Sequence, residues 1–145
     1  MVHEEILALM HRYTYLIDRG NLEGFAGLFA SGEWGAEGDK LLTGSEMLEM
    51  LRREVTLYPD GTPRTRHVVT NIELDVDEEH GVAKGQSYIT LFQQTDDFPL
   101  QVIFSGEYHD EFVRENDVWR FDKRIIKGPM FGDQSRHIKS ASIGA

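Results

Sequence analysis

Near residue 57 the apolar pattern of this chain changes period, and that change limits its folds more than any other feature. Before it, Ile6, Leu7, Met10, Thr14 and Ile17 recur at steps of three and four, the spacing of one helix face. Asp18-Arg19-Gly20-Asn21 predicts the stop, with Gly20 left-handed after the helix and Asn21 capping the next one. That second helix spans Leu22 to Phe29. Glu33 to Glu37 reads as a short strand that Gly38-Asp39 turns back toward Leu41-Leu42. A third helix, capped by Ser45, carries Met47, Leu48, Leu51 and Val55. After the loop Tyr58-Pro59-Asp60-Gly61-Thr62-Pro63, four strand-like runs follow: Thr65 to Val76, Val82 to Gln94, Leu100 to Arg114 and Val118 to Lys127. Strands longer than the usual five or six residues imply a curved, bulged antiparallel sheet. The expected class is therefore α+β, three N-terminal helices packed on one face of a strongly curved sheet. The expected division is one domain over residues 1–130 and a C-terminal tail over 131–145, loose or partner-seeking from Lys139 onward.

Composition excludes several functions. With 25 acidic against 15 basic residues the net charge is −10, which lacks the footprint of a nucleic-acid binder and is repelled by anionic membranes. The absence of cysteine removes disulfides, thiolate metal sites and cysteine nucleophiles. No basic-then-apolar leader opens the chain and no run approaches a membrane span, so a cytoplasmic protein is expected. There is no His-Glu-x-x-His, no glycine-rich phosphate loop and no G-x-S-x-G elbow. His109 and Asp110 are adjacent on a strand and point to opposite faces. No metal and no cofactor is expected.

Two polar residues carry the chemistry. Strict alternation groups His67 with Val69, Asn71, Glu73 and Asp75, the more polar face. That is a hydrogen-bonded surface histidine unless the face is concave or a bulge re-aims the ring. Asp18 ends a helix, where the dipole disfavours an acid by about 0.3–1 kcal/mol. It must be solvated, form an Asx-type turn, pair with a cation such as Arg19, or orient an imidazole. The many aromatics supply a core and also suit an apolar pocket for a ring-shaped ligand.

Tyr13-x4-Asp18-Arg19-Gly20-Asn21, then Phe25-x2-Leu28-Phe29-Ala30, resembles the opening of SnoaL-like proteins of the NTF2-like superfamily. Thr65-Arg66-His67, Gly106-x-Tyr108-x-Asp110-x-Phe112 and Val118-Trp119-Arg120-Phe121 are similar to later parts of the same pattern, so the resemblance covers about residues 3–127. It implies a cone-shaped sheet wrapped round a long helix, with a pocket between them. Scytalone dehydratase, bile-acid dehydratase and hexachlorocyclohexane dehydrochlorinase hold an Asp–His dyad in that pocket, and Asp18 and His67 match its positions. Tyr13 matches a tyrosine of the bile-acid enzyme, and Arg124 a last-strand arginine. The chain departs from scytalone dehydratase at Ile17, Leu91 and Tyr108, which makes scytalone itself an unsuitable substrate.

What the resemblance implies is a cofactor-free lyase, of dehydratase or dehydrohalogenase type, acting on a small apolar cyclic, aromatic, polyketide or steroid-like molecule. His67 is the expected base and Asp18 its orienting partner. Tyr13 and Arg124 are expected to assist the leaving group, and Phe29, Trp34, Phe104 and Tyr108 to shape the pocket. Two alternatives stay open: an isomerase with the same dyad, or a non-catalytic binding or assembly subunit like the small subunit of ring-hydroxylating dioxygenases. A homo-oligomer, trimer or dimer, is expected in each case.

Overall fold

The first helix buries one side and exposes the other, as its periodicity predicts. In the computed structural model, which describes residues 1–140, α1 spans Val2–Asp18 and buries Ile6, Leu9, Met10, Tyr13, Thr14 and Ile17. It packs against the sheet at β2 (Thr65–Asp77) and β5 (Val118–Phe131). Between α1 and the sheet strands run α2 (Leu22–Gly27), β1 (Glu33–Ala36) and α3 (Gly44–Glu54), and α2 packs on α3. Asn21 caps α2, its side chain accepting the Gly24 N–H at 2.8 Å. The cap of α3 is Thr43 rather than the expected Ser45. Thr43 and Glu46 form a reciprocal capping box, which needs a glutamate three residues after the cap and which Ser45 cannot form.

With β3 (Val82–Thr95) and β4 (Phe98–Glu115) the strands form one sheet in the order β1-β5-β4-β3-β2. Neighbours are antiparallel except β1, which runs parallel to β5. The α+β class, with helices first and an antiparallel meander after them, is as expected. Strand β5 runs past the expected end at Lys127: Gly128, at φ 57°, sits where the β4–β5 register shifts, and pairing resumes at Met130.

A second irregularity corrects the reading of β2. Thr65, His67 and Val69 turn inward, as alternation from His67 requires. The register then shifts between Thr70 and Glu73, with Asn71 at φ 55°. The extra residue reverses the phase, so that Ile72, Leu74 and Val76 pack on the core while Asn71, Glu73 and Asp75 are exposed. His67 is therefore on the same inward face as the apolar half of the strand that strict alternation had set opposite it.

The core is largely aromatic. Tyr13, Phe25, Phe29, Phe104, Tyr108, Phe112 and Phe121 are fully buried. Phe29 stacks on Phe121 at 4.9 Å between centroids, and Phe112 tilts against the same ring at 5.1 Å. The segment after β5 adds Ile138, which bridges Val55, while the backbone of Lys139 and Ser140 hydrogen bonds to Glu54. The remainder of the expected tail, residues 141–145, lies outside the described residues. No helix among the described residues is long and apolar enough to cross a membrane.

Candidate active site

Asp18 reaches the sheet because its helix ends against a loop. Gly20, at φ 80°, lies so near the Gly61 carbonyl that a Cβ there would sit 1.9 Å from the oxygen. Only glycine fits this close approach, and it sets the end of α1 beside the start of β2. Three donors from β2 then converge on the carboxylate. Asp18 Oδ1 accepts the Thr65 hydroxyl at 2.8 Å and His67 Nδ1–H at 2.6 Å; Oδ2 accepts the His67 main-chain N–H at 2.7 Å. This replaces the solvent, Asx-turn and Arg19 alternatives, since Arg19 instead lies over the Tyr15 ring at 4.6 Å.

A carboxylate oxygen accepts, so the short contact places a proton on His67 Nδ1, and in the neutral ring Nε2 carries the lone pair. The His67 side chain is 0% exposed, and its Nε2 has no hydrogen-bond partner among the described residues. A buried acceptor with nothing to accept is an uncommon feature of a folded protein.

Tyr13 connects the dyad to the other candidates. Its ring meets His67 edge-on at 6.4 Å and Tyr108 at 5.6 Å. Its hydroxyl accepts the Trp34 indole N–H at 2.9 Å and lies close to Tyr108 and Arg124 as well. Burial pushes the Tyr13 hydroxyl up from its ordinary range against the opposing charge of Arg124. Burial also holds Tyr108 far above its ordinary range, and Tyr13 adds to the effect. Both phenols are therefore neutral at neutral pH.

Arg124 is fully buried, its guanidinium 3.7 Å from the Tyr108 ring centroid and 4.3 Å from that of Tyr13. Its Nε and Nη2 donate to the two oxygens of Asp110 at 2.7 and 2.8 Å. Burial works against the charge, but Asp110 and the two tyrosines together outweigh it and hold the guanidinium above its ordinary range. Nη1 is buried and unpaired among the described residues. Arg124 is thus an ion-paired group above two tyrosine rings, with one N–H pair left over.

Of the expected pocket residues, Trp34 and Tyr108 touch this constellation directly, and Phe29 joins it through the Tyr13 ring at 6.1 Å. Phe104 is buried but takes Phe131 as its ring partner at 5.6 Å. The sequence reading missed two residues. Asp110 could have been found by placing it opposite Arg124 across β4 and β5, but only with the register known. His137, fully buried with neither ring nitrogen partnered among the described residues, belongs to a segment with no periodic signal. Among the described residues no group of three or more His, Asp or Glu side chains is placed to hold a metal ion.

Comparisons with known proteins agree with this architecture. A solved structure of an Asp-to-Asn variant of Rv3472, a protein of unknown function from Mycobacterium tuberculosis, is 27% identical, with 85% of this chain and 69% of that one aligned at a TM-score of 0.69. A putative scytalone dehydratase from Novosphingobium aromaticivorans is 22% identical over 90% of this chain and 87% of its own, with a TM-score of 0.68. LinA is 19% identical over 98% of this chain and 91% of its own, also at 0.68. The last two likenesses show the fold alone. No curated protein sequence matches the chain. The SnoaL-like domain model matches residues 2–125, nearly the whole of the described structure, and the chain belongs to that family.

Proposed function

We propose that this protein is a cofactor-free lyase that acts on a small cyclic organic molecule by general-base catalysis. One observation carries the reading: Asp18 holds His67 by Nδ1 at 2.6 Å and by its main-chain N–H at 2.7 Å, while Nε2 is buried with no partner among the described residues. This is the arrangement of a base awaiting a carbon acid, with the tautomer set by the carboxylate. His67 Nε2 takes a proton from a carbon activated by a neighbouring carbonyl or lying β to a leaving group. The C–H electron pair becomes the new C=C bond, and the leaving group departs with its bonding pair, a halide as the anion and a hydroxyl as water after taking up the proton that His67 Nε2 received. Asp18 offsets the charge that His67 gains. The neutral Tyr13 hydroxyl hydrogen-bonds the departing group. Arg124 acts through the tyrosine rings beneath it, as a positioning residue. General-base catalysis of this kind contributes about 10²–10⁴-fold.

The test is a screen of hydroxy-carbonyl and halogenated ring compounds with the wild type and His67→Ala. Release of water or halide by the wild type, lost in the folded variant, is the expected result. Product that keeps its leaving group would assign an isomerase with the same dyad. Turnover retained by His67→Ala would overturn the role given to the histidine.

A further inference from the structure

His137 belongs to a segment that has no regular secondary structure of its own and is tied to the end of the sheet where β2 begins. Its N–H and that of Ile138 both donate to the Gln134 carbonyl, at 2.9 and 3.0 Å, closing a turn. The His137 carbonyl accepts the Thr56 N–H at 3.0 Å, just beyond α3. The carbonyl before it, on Arg136, accepts both the Tyr58 hydroxyl and Gln93 Nε2. Gln93 Nε2 also donates to the Pro63 carbonyl at 3.0 Å, so one buried amide ties the segment to the loop that leads into β2.

This anchoring leaves the imidazole 0% exposed, and neither ring nitrogen has a partner among the described residues. A neutral imidazole carries one N–H and one lone pair, so a buried donor and a buried acceptor are both without a protein partner among the described residues. Gln93, which holds the Arg136 carbonyl, lies opposite Thr65 across β2 and β3, and Thr65 in turn donates to Asp18, so the segment sits at the dyad end of the sheet. Burial pushes His137 down to about 3; His67 adds to this once it is protonated, and Asp18 opposes it. His137 is therefore neutral at neutral pH and can donate a hydrogen bond without releasing its proton.

We propose that His137 is a second catalytic residue, donating its N–H to a substrate carbonyl oxygen that becomes an enolate as His67 removes the adjacent proton. The inference rests on the base role of His67. The proton goes to His67 Nε2, the C–H electron pair moves into the enolate, and no proton leaves His137. A donor placed in this way selects carbonyl compounds over halogenated hydrocarbons, which offer no oxygen to accept it.

His137→Leu removes the donor and roughly keeps the volume; His137→Gln restores an N–H donor. On a hydroxy-carbonyl substrate, kcat is expected to fall by about 10²–10³-fold in the Leu variant with little change in KM, and to recover largely in the Gln variant. In the absence of turnover, 4-nitrophenol serves as an enolate mimic, because its yellow ionised form reports a stabilised oxyanion. Wild type and His137→Gln are expected to enrich the bound ionised form, and His137→Leu to lose that enrichment. Equal kcat in wild type and the Leu variant, equal spectra in both, or equal loss in the Leu and Gln variants would overturn the assignment. If His67→Ala is inactive while His137→Leu is not, only the role of His137 fails; if His67→Ala turns over, the base itself has been misassigned.

Discussion

Asp18→Asn changes one oxygen to an amide nitrogen in a carboxylate that receives three donors. With the amide oxygen in the place of Oδ1, the bonds from Thr65 and His67 Nδ1 survive, but the NH₂ faces the His67 main-chain N–H across 2.7 Å. Two opposed donors, one of them buried backbone, cost about 1–3 kcal/mol. With the amide turned over, the main-chain bond survives and the NH₂ faces Nδ1 across 2.6 Å. The ring can meet that donor by moving its proton to Nε2, so this second orientation is expected to prevail. The lone pair then leaves the site. The corresponding loss for a wrongly oriented imidazole is about 10⁴-fold in kcat, roughly 5 kcal/mol of transition-state stabilisation. The lost charge assistance adds a stability cost of about 1–3 kcal/mol. With an unfolding entropy near 0.3 kcal/mol/K for a chain of this size, Tm falls by about 3–10 °C. Nitrogen-15 NMR of the histidine rings reads the tautomer without any substrate. The wild type should show the His67 proton on Nδ1 and the variant on Nε2. A wild-type proton on Nε2, or a variant whose kcat stays within about tenfold of the wild type (1.4 kcal/mol), would refute the reasoning.

Two further outcomes follow from buried charge. Asp110→Ala strands the Arg124 guanidinium in the core and should cost about 3–5 kcal/mol in urea denaturation, whereas Asp110→Leu with Arg124→Met should recover most of that loss, because removing both charges removes the desolvation cost. His137 binds protons less readily in the folded state, at about 3, than at its ordinary 6.5. Its contribution is therefore complete above about pH 6.5 and declines as pH falls toward 3, by about 1.4 kcal/mol per pH unit, since only the unfolded chain takes up the proton. His137→Gln should flatten that part of the stability–pH curve, and an unchanged slope would count against a buried neutral ring.

The sequence by itself determined what local forces decide. The period change separates helices from strands, because burying one face demands 3.6- or 2-residue spacing whatever the partner. Gly20 and Asn21 mark the corner after α1, because a left-handed turn and an N-cap are met within a few residues of chain. Asp18 stood out because an acid at the end of a helix is disfavoured unless something offsets it, whereas His67 read locally as a surface histidine and only the family resemblance paired it with Asp18. Tertiary structure decided the rest. Strict alternation misplaced the second half of β2 because one non-glycine residue, Asn71, takes a positive φ and shifts the phase, a choice made by the sheet around it. The pairing of Arg124 with Asp110 depends on the β4–β5 register, which bulges change. The parallel docking of β1 on β5 and the anchoring of the His137 segment on Thr56 and Gln93 join segments far apart in the chain. Such contacts depend on where whole elements come to rest, and no short stretch of sequence carries that information.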